Sequence, residues 1–86
     1  MFSRNDNVDT AKQYQTTDIG SATALVSLGY SLACLDKSNP RRALFVFDNS
    51  TGIQAILKDY WSGSLSVDAK TYFETHKWLK SRIYNS

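Results

Sequence analysis

Residues 42–48 carry the strongest strand pattern in this chain of 86 residues. The centre of the segment reads Ala-Leu-Phe-Val-Phe, and because successive strand residues point to opposite faces, it is apolar on both sides. The chain is 42% hydrophobic and 13% aromatic, which is enough to build a packed core. We therefore expect one small folded domain that contains this strand.

The residues before this strand predict a β-hairpin. Residues 30–35 alternate with a period of two, which places Leu32 and Cys34 on the same face. The next six residues, Asp-Lys-Ser-Asn-Pro-Arg, have the composition of a turn, and Pro40 excludes a central strand position there. Two strands joined by so short a turn pair antiparallel.

Two segments then show the spacing of amphipathic helices. The first follows side-chain oxygens at residues 16–18, which can cap a helix, and ends at Gly29. Its apolar stripe is Ile19, Ala22, Leu25 or Val26, and Leu28. The second follows an Asn-Ser-Thr capping cluster at 49–51 and ends at Ser62-Gly63. Its stripe is Ile53, Ile56, Leu57, Tyr60 and Trp61.

A third helix of roughly four turns is predicted after Ser66 or Asp68, either of which can cap it. At about 100° per residue, one face collects Ala69, Tyr72, Phe73, His76, Leu79 and Ile83. Residues 69–86 contain four cations against Glu74, a net charge of +3. Such charge stabilises a helix C-terminus, and it also favours anionic partners.

These elements give an α+β fold. A small antiparallel sheet combines the β-hairpin with a candidate short strand at residues 14–17, and three helices complete the order β-α-β-β-α-α. Residues 1–12 lack periodicity and are predicted to be a flexible N-terminal segment. Residues 13–86 are predicted to form the single domain.

Composition excludes several protein classes. The N-terminus is polar and contains acids, unlike a signal or transit peptide, and no apolar run approaches the roughly 20 residues that span a bilayer. The net charge of +2 does not by itself predict a nucleic-acid partner. Cys34 is the only cysteine and cannot form an internal disulfide, which favours a reducing cytoplasm.

No catalytic, metal-binding or cofactor-binding pattern stands out. His76 is the only histidine and lies on the apolar face of the last helix, so we expect it to be a structural residue. Cys34 and His76 would have to meet to act as nucleophile and base, and Asp18 is expected to cap a helix. The glycines are dispersed, which excludes a phosphate-binding loop. We predict a non-enzyme with no cofactor and no small-molecule ligand.

Several short motifs occur in a recognisable order: Tyr14-Gln15-Thr16-Thr17-Asp18, Phe45-Val46-Phe47, Tyr60, Gly63, and Leu79-Lys80-Ser81-Arg82-Ile83-Tyr84. This order resembles a family of short bacterial and phage-associated proteins known only as a domain of unknown function. The resemblance covers roughly residues 13–85. It implies the same architecture and an intracellular bacterial or phage setting, and it implies no activity.

Phe45 and Phe47 allow two interpretations. Two aromatics on one strand face after two arginines resemble the base-stacking strand of RNA-recognition motifs. Ala43 replaces the glycine of that motif, however, and a helix replaces its fourth strand. We therefore expect both rings to pack in the core.

Trp78 is the residue that core packing explains least, because it lies opposite the apolar face of the last helix. Its indole is predicted to contact the chain's own N-terminal segment, a protein partner or second subunit, or a nucleobase. The leading hypothesis is a non-enzymatic module for protein interaction or self-association. The alternative is weak, mostly sequence-independent nucleic-acid binding. The candidate interaction residues are Trp78, Arg82, Lys77, Lys70, Arg41 and Arg42.

Overall fold

The computed structural model describes residues 13–39, 41–48 and 50–84. The predicted α+β order is confirmed, including the short first strand. The elements are β1 (Tyr14–Thr16), α1 (Ile19–Ser27), β2 (Leu32–Asp36), β3 (Leu44–Phe47), α2 (Ile53–Ser62) and α3 (Ala69–Tyr84). The predicted flexible segment 1–12 lies outside the described residues.

The sheet is antiparallel with strand order β1-β3-β2, so the two-sided apolar strand is its centre. Phe45 and Phe47 are both buried in the core, which confirms the packing interpretation and leaves neither ring for base stacking. Val46 is also buried, but it points to the opposite face, where its register partners are Gln15 and Cys34.

A β-bulge changes which side chains of β2 face the core. Leu32 pairs with Phe47 and Cys34 with the next residue, Val46, so Ala33 is the extra residue of the bulge. Leu32 and Leu35 both pack against the core, whereas Cys34 is exposed. The predicted placement of Leu32 and Cys34 on one face is therefore wrong, because one inserted residue reverses the alternation beyond it.

Helix α1 is the central helix, and both α2 and α3 pack against it. The Asp18 carboxylate caps it by accepting a hydrogen bond from the Ser21 N–H at 2.8 Å, as predicted. Ala22 and Leu25 are fully buried. Leu28 was expected in the apolar stripe but is exposed, because it follows the last helical turn as the C-cap.

Helix α2 buries Ile53 and Leu57 against α1. The predicted capping cluster is wrong, because the N-cap is Gly52 and no side chain caps the helix. Gly52 has φ 79°, a left-handed conformation that glycine adopts without a steric penalty. Trp61, the last residue of the predicted stripe, is 66% exposed.

Helix α3 begins at its predicted cap, where Asp68 Oδ2 accepts from the Thr71 N–H at 3.0 Å and from its hydroxyl at 2.9 Å. Its buried stripe is narrower than predicted, since Leu79 alone is fully buried and Ile83 is half-buried. Phe73 was expected to face inward and is 62% exposed. Because α3 packs mainly against one helix, α1, only a narrow strip of its surface is buried.

Candidate functional site

The hairpin turn and the C-terminal half of α3 flank an open cleft of about 360 Å³, here called the cationic pocket. Its lining residues are Thr17, Ile19, Arg41, Arg42, Ala43, Phe45, His76, Lys80, Ile83 and Tyr84. Arg41, Arg42 and Lys80 are cationic side chains, and His76 adds an imidazole ring. Among the described residues that line this pocket, none is acidic.

Lys37 fastens the hairpin turn to the end of α3. Its ammonium group donates to the main-chain oxygens of Arg82 at 3.4 Å and Ile83 at 3.1 Å. A cation at a helix C-terminus is stabilised by the carbonyl groups that lack partners within the helix. This contact holds the two walls of the cationic pocket together.

Asn39 shapes the turn that carries the two arginines. Its side-chain oxygen accepts from the Arg41 N–H at 2.9 Å, and its main-chain oxygen accepts from the Arg42 N–H at 3.2 Å. Such local bonds fix the backbone of a short turn. The turn therefore places Arg41 and Arg42, which are adjacent in the sequence, in the lining of the same pocket.

The pocket has an apolar floor, because Phe45 at its base is only 1% exposed. The nearest described acid on the hairpin is Asp36, which lines an adjoining cavity of about 230 Å³ together with Arg42. Hydrogen bonds from the hydroxyl and the N–H of Ser38 hold the pKa of Asp36 below its usual value. Asp36 is therefore negative at neutral pH.

One flank of α3 extends the pocket along the helix. Phe73, Lys77, Lys80 and Tyr84 follow at i, i+4, i+7 and i+11, the spacing of a single helix face. We call this set the lysine–aromatic stripe. Phe73 is 62% and Tyr84 74% exposed, and the Lys77 ammonium lies 5.3 Å from the Phe73 ring centroid. Lys80 and Tyr84 belong to both the stripe and the pocket.

Trp78 and Arg82 lie on the other flank of α3, roughly 140° around the helix axis from the stripe. Trp78 is 43% exposed, so the described part of its own chain leaves much of the indole accessible. The guanidinium carbon of Arg82 is 5.3 Å from the indole ring. Lys70 pairs with Glu74 at 3.1 Å.

The six predicted interaction residues are thus divided among separate surfaces. Arg41 and Arg42 line the cationic pocket, and Lys77 lies in the lysine–aromatic stripe. The remaining three residues, Lys70, Trp78 and Arg82, are outside both.

The three side chains considered for catalysis have different surroundings. Asp18 caps α1, and Cys34 is exposed on the Val46 side of the sheet. His76 lines the cationic pocket, and its ring stacks against that of Tyr72 with centroids 6.5 Å apart. Within the described residues, no group of three or more histidine, cysteine or acidic side chains is placed to hold a metal ion.

A comparison with protein families matched most of the chain. Residues 11–85 match the model of a domain of unknown function, DUF5659. The chain belongs to that family. The predicted resemblance to a domain of unknown function is therefore confirmed, whereas the bacterial or phage setting stays a prediction. No curated protein and no solved structure matches the DUF5659 chain.

The predicted interaction set did not include His76 and Lys80, which line the cationic pocket of this DUF5659 domain. Helical spacing placed His76 on the inner face, and Lys80 was one of several C-terminal cations with nothing to distinguish it. Their i, i+4 spacing could have selected them, because it places both side chains on the same face of α3, next to the same part of the fold. The sequence does not show that this part of the fold is the hairpin turn, because that depends on how the hairpin packs beside α3.

Two larger cavities of the DUF5659 domain lack this concentration of charge. One of about 510 Å³ lies beside the α1–β2 connection and is lined by Leu28, Gly29, Tyr30, Ser31, Asp48 and Thr51. The other, about 390 Å³, lies beside the α2–α3 loop and is lined by Ala24, Tyr60, Gly63, Leu65, Val67, Ala69 and Tyr72. Among described residues, neither lining includes a cation.

None of the helices in the described ranges has the length and apolar character to cross a membrane.

Proposed function

We propose that the DUF5659 domain is a non-enzymatic module that binds single-stranded nucleic acid on the cationic pocket and the adjoining lysine–aromatic stripe. The observation that carries this proposal is the meeting of Arg41, Arg42, His76 and Lys80 around one cavity whose described lining contains no carboxylate. Like charges repel, so stability alone gives no reason to gather three permanent cations there. An anionic ligand that enters the pocket removes this repulsion.

Phosphate groups suit the cations of this site. The planar guanidinium forks of Arg41 and Arg42 can each donate two parallel hydrogen bonds to a phosphate, and Lys80 adds a compact charge. The lysine–aromatic stripe is roughly 16 Å long at 1.5 Å per residue, which fits about five stacked nucleotides at 3.4 Å each.

Exposed rings next to cations favour a single strand over a duplex. Phe73 and Tyr84 are both exposed along the stripe, and unpaired bases stack on exposed aromatic rings. Stacking is sequence-tolerant because every base has a π face, which agrees with weak, mostly sequence-independent binding.

Fluorescence anisotropy with a labelled 12-mer of oligothymidine tests the proposal. Binding at about 20 mM salt should weaken steeply on salt addition, with a log–log slope of roughly −3 if about four phosphates are contacted. Lys80→Ala should lower affinity about fivefold and reduce the slope by about 0.7, because it removes one phosphate contact. Phe73→Ala should cost about 1–3 kcal/mol of binding energy by removing one stacked base.

The controls are matched in residue type and exposure. Lys58→Ala removes an exposed lysine of α2, and Trp61→Ala removes an exposed ring of the same helix. Both should leave binding unchanged. Absence of binding at low salt, or equal losses for Lys80→Ala and Lys58→Ala, would contradict the proposal.

A second function, self-association through the Trp78 flank, is favoured by a different observation. Trp78 is 43% exposed and lies on the far side of α3 from the cationic pocket. Exposed tryptophans concentrate at protein interfaces, and a two-fold dimer needs only one patch that fits itself. We propose that two copies of the domain meet at this flank.

Sedimentation equilibrium from about 10 to 500 μM tests the second function, because weak dimers have Kd values in the micromolar range or above. A concentration-dependent dimer should be abolished by Trp78→Ala and retained by Trp61→Ala. A protein that stays monomeric throughout this range does not use the Trp78 flank for self-association.

A further inference from the structure

We infer that the cationic pocket holds the terminal phosphate of a strand, so that the domain recognises a phosphorylated end. This inference rests on the nucleic-acid function proposed above and adds the chemical group that the pocket selects. The lysine–aromatic stripe would carry the nucleotides that follow.

The charge of the pocket matches a phosphomonoester better than a phosphodiester. A terminal phosphate carries roughly −1.5 to −2 at neutral pH and offers three acceptor oxygens, whereas an internal phosphate carries a single charge. The pocket gathers three permanent cations and one histidine. Arg41, Arg42 and Lys80 come from two elements, so donors approach from different directions.

Three parts of the chain contribute to the lining of the pocket. Its walls come from the start of α1, the hairpin and α3, represented by Thr17, Arg42 and His76, and its floor reaches the buried ring of Phe45. Thr17 and Tyr84 add hydroxyl donors to the lining.

Apolar side chains also line the cationic pocket. Ile19, Ala43 and Ile83 form apolar walls beside the charged groups. Lys58, an exposed lysine of α2, is not among the residues that line this pocket.

The test compares 12-mers of oligothymidine that differ only at one end. A strand labelled at its 3′ end carries either a 5′-phosphate or a 5′-hydroxyl, and a strand labelled at its 5′ end carries either a 3′-phosphate or a 3′-hydroxyl. At about 150 mM salt, where diffuse attraction is screened within roughly 8 Å, one of the two phosphates should raise affinity about tenfold. A hydroxyl-ended 13-mer, which adds one internal phosphate, should gain less than about twofold.

Two variants test whether the cationic pocket causes the preference for a phosphorylated end. Arg42→Gln should lower the affinity of both strands and remove the preference, so that the phosphorylated and hydroxyl-ended strands bind equally. Lys58→Gln, an equal loss of charge outside the pocket, should keep the preference. Circular dichroism and thermal melting of both variants check that the fold is retained, as expected because both side chains are exposed.

The outcomes separate the two proposals. If hydroxyl-ended strands bind and neither terminal phosphate adds affinity, the end-recognition inference is overturned and the nucleic-acid function stands. If no strand binds at about 20 mM salt, where surface attraction is strongest, both are overturned. If free thymidine monophosphate binds and no strand does, the pocket takes mononucleotides, and both proposals about strands fail.

Discussion

The Asp18 carboxylate holds the start of α1 by accepting a hydrogen bond from the Ser21 N–H. Asp68 performs the same task for α3 through Thr71. Both contacts join residues three positions apart, so both were predictable from the sequence. Gly52 begins α2 by backbone conformation alone, with φ 79°, and a search for side-chain caps misses such a residue.

Asp18→Ala should lower the free energy of unfolding by about 1 kcal/mol, because one orphan N–H of α1 loses its acceptor. Asp18→Ser should retain most of the stability, since a serine hydroxyl caps almost as well. Urea denaturation of the three proteins measures the difference. Equal midpoints for Asp18→Ala and the parent protein would show that the cap contributes nothing.

Helices α1, α2 and α3 meet at a close contact around Gly20. Tyr72 of α3 donates its hydroxyl hydrogen to the Gly20 carbonyl at 3.2 Å, and Tyr60 of α2 reaches the same residue. A β-carbon on Gly20 would collide with the Tyr60 hydroxyl oxygen and lie 3.4 Å from ring atom Cζ. Burial, with Tyr72 and Asp18 nearby, raises the pKa of Tyr60 above its usual value.

Gly20→Ala should destabilise the protein by about 1 kcal/mol or more, because overpacking outweighs the gain in helix propensity. In a Tyr60→Phe background the colliding oxygen is gone, so the same substitution should be neutral or stabilising by up to about 1 kcal/mol. A double-mutant cycle of thermal or urea unfolding measures the coupling. Identical effects of Gly20→Ala in both backgrounds would exclude this contact as the cause.

The two flanks of α3 give the whole molecule two separate exposed surfaces. Phe73 and Tyr84 accompany the cationic pocket on one flank, and Trp78 lies with Arg82 on the other. Large exposed rings mark interaction surfaces, since burying them inside would stabilise a small domain. Both flanks of α3 are exposed because α3 buries only the narrow strip of its surface that contacts α1.

Trp78→Ala should abolish self-association and leave the affinity for oligothymidine unchanged, whereas Phe73→Ala should do the reverse. The double variant should show both losses additively, because distant sites couple weakly. Sedimentation and anisotropy on the same four proteins provide the measurements. A loss of oligothymidine binding in Trp78→Ala would mean that both flanks serve one ligand or that the dimer is the binding form.

The amino-acid sequence by itself determined the elements, their order, the hairpin and the caps of α1 and α3. These features depend on contacts between residues a few positions apart, whose geometry repeats in every helix and turn. Helical spacing also predicted Leu79 to be buried and Trp78 to be outside, and both are confirmed.

Only the tertiary structure decided how wide the buried face of each helix is and which distant side chains meet. Phe73 and Trp61 satisfied the helical period and are nevertheless exposed, because a side chain is buried only where a neighbouring element covers it. Arg41 and Arg42 meet His76 and Lys80 through the packing of the hairpin beside α3, a long-range arrangement that no local pattern encodes.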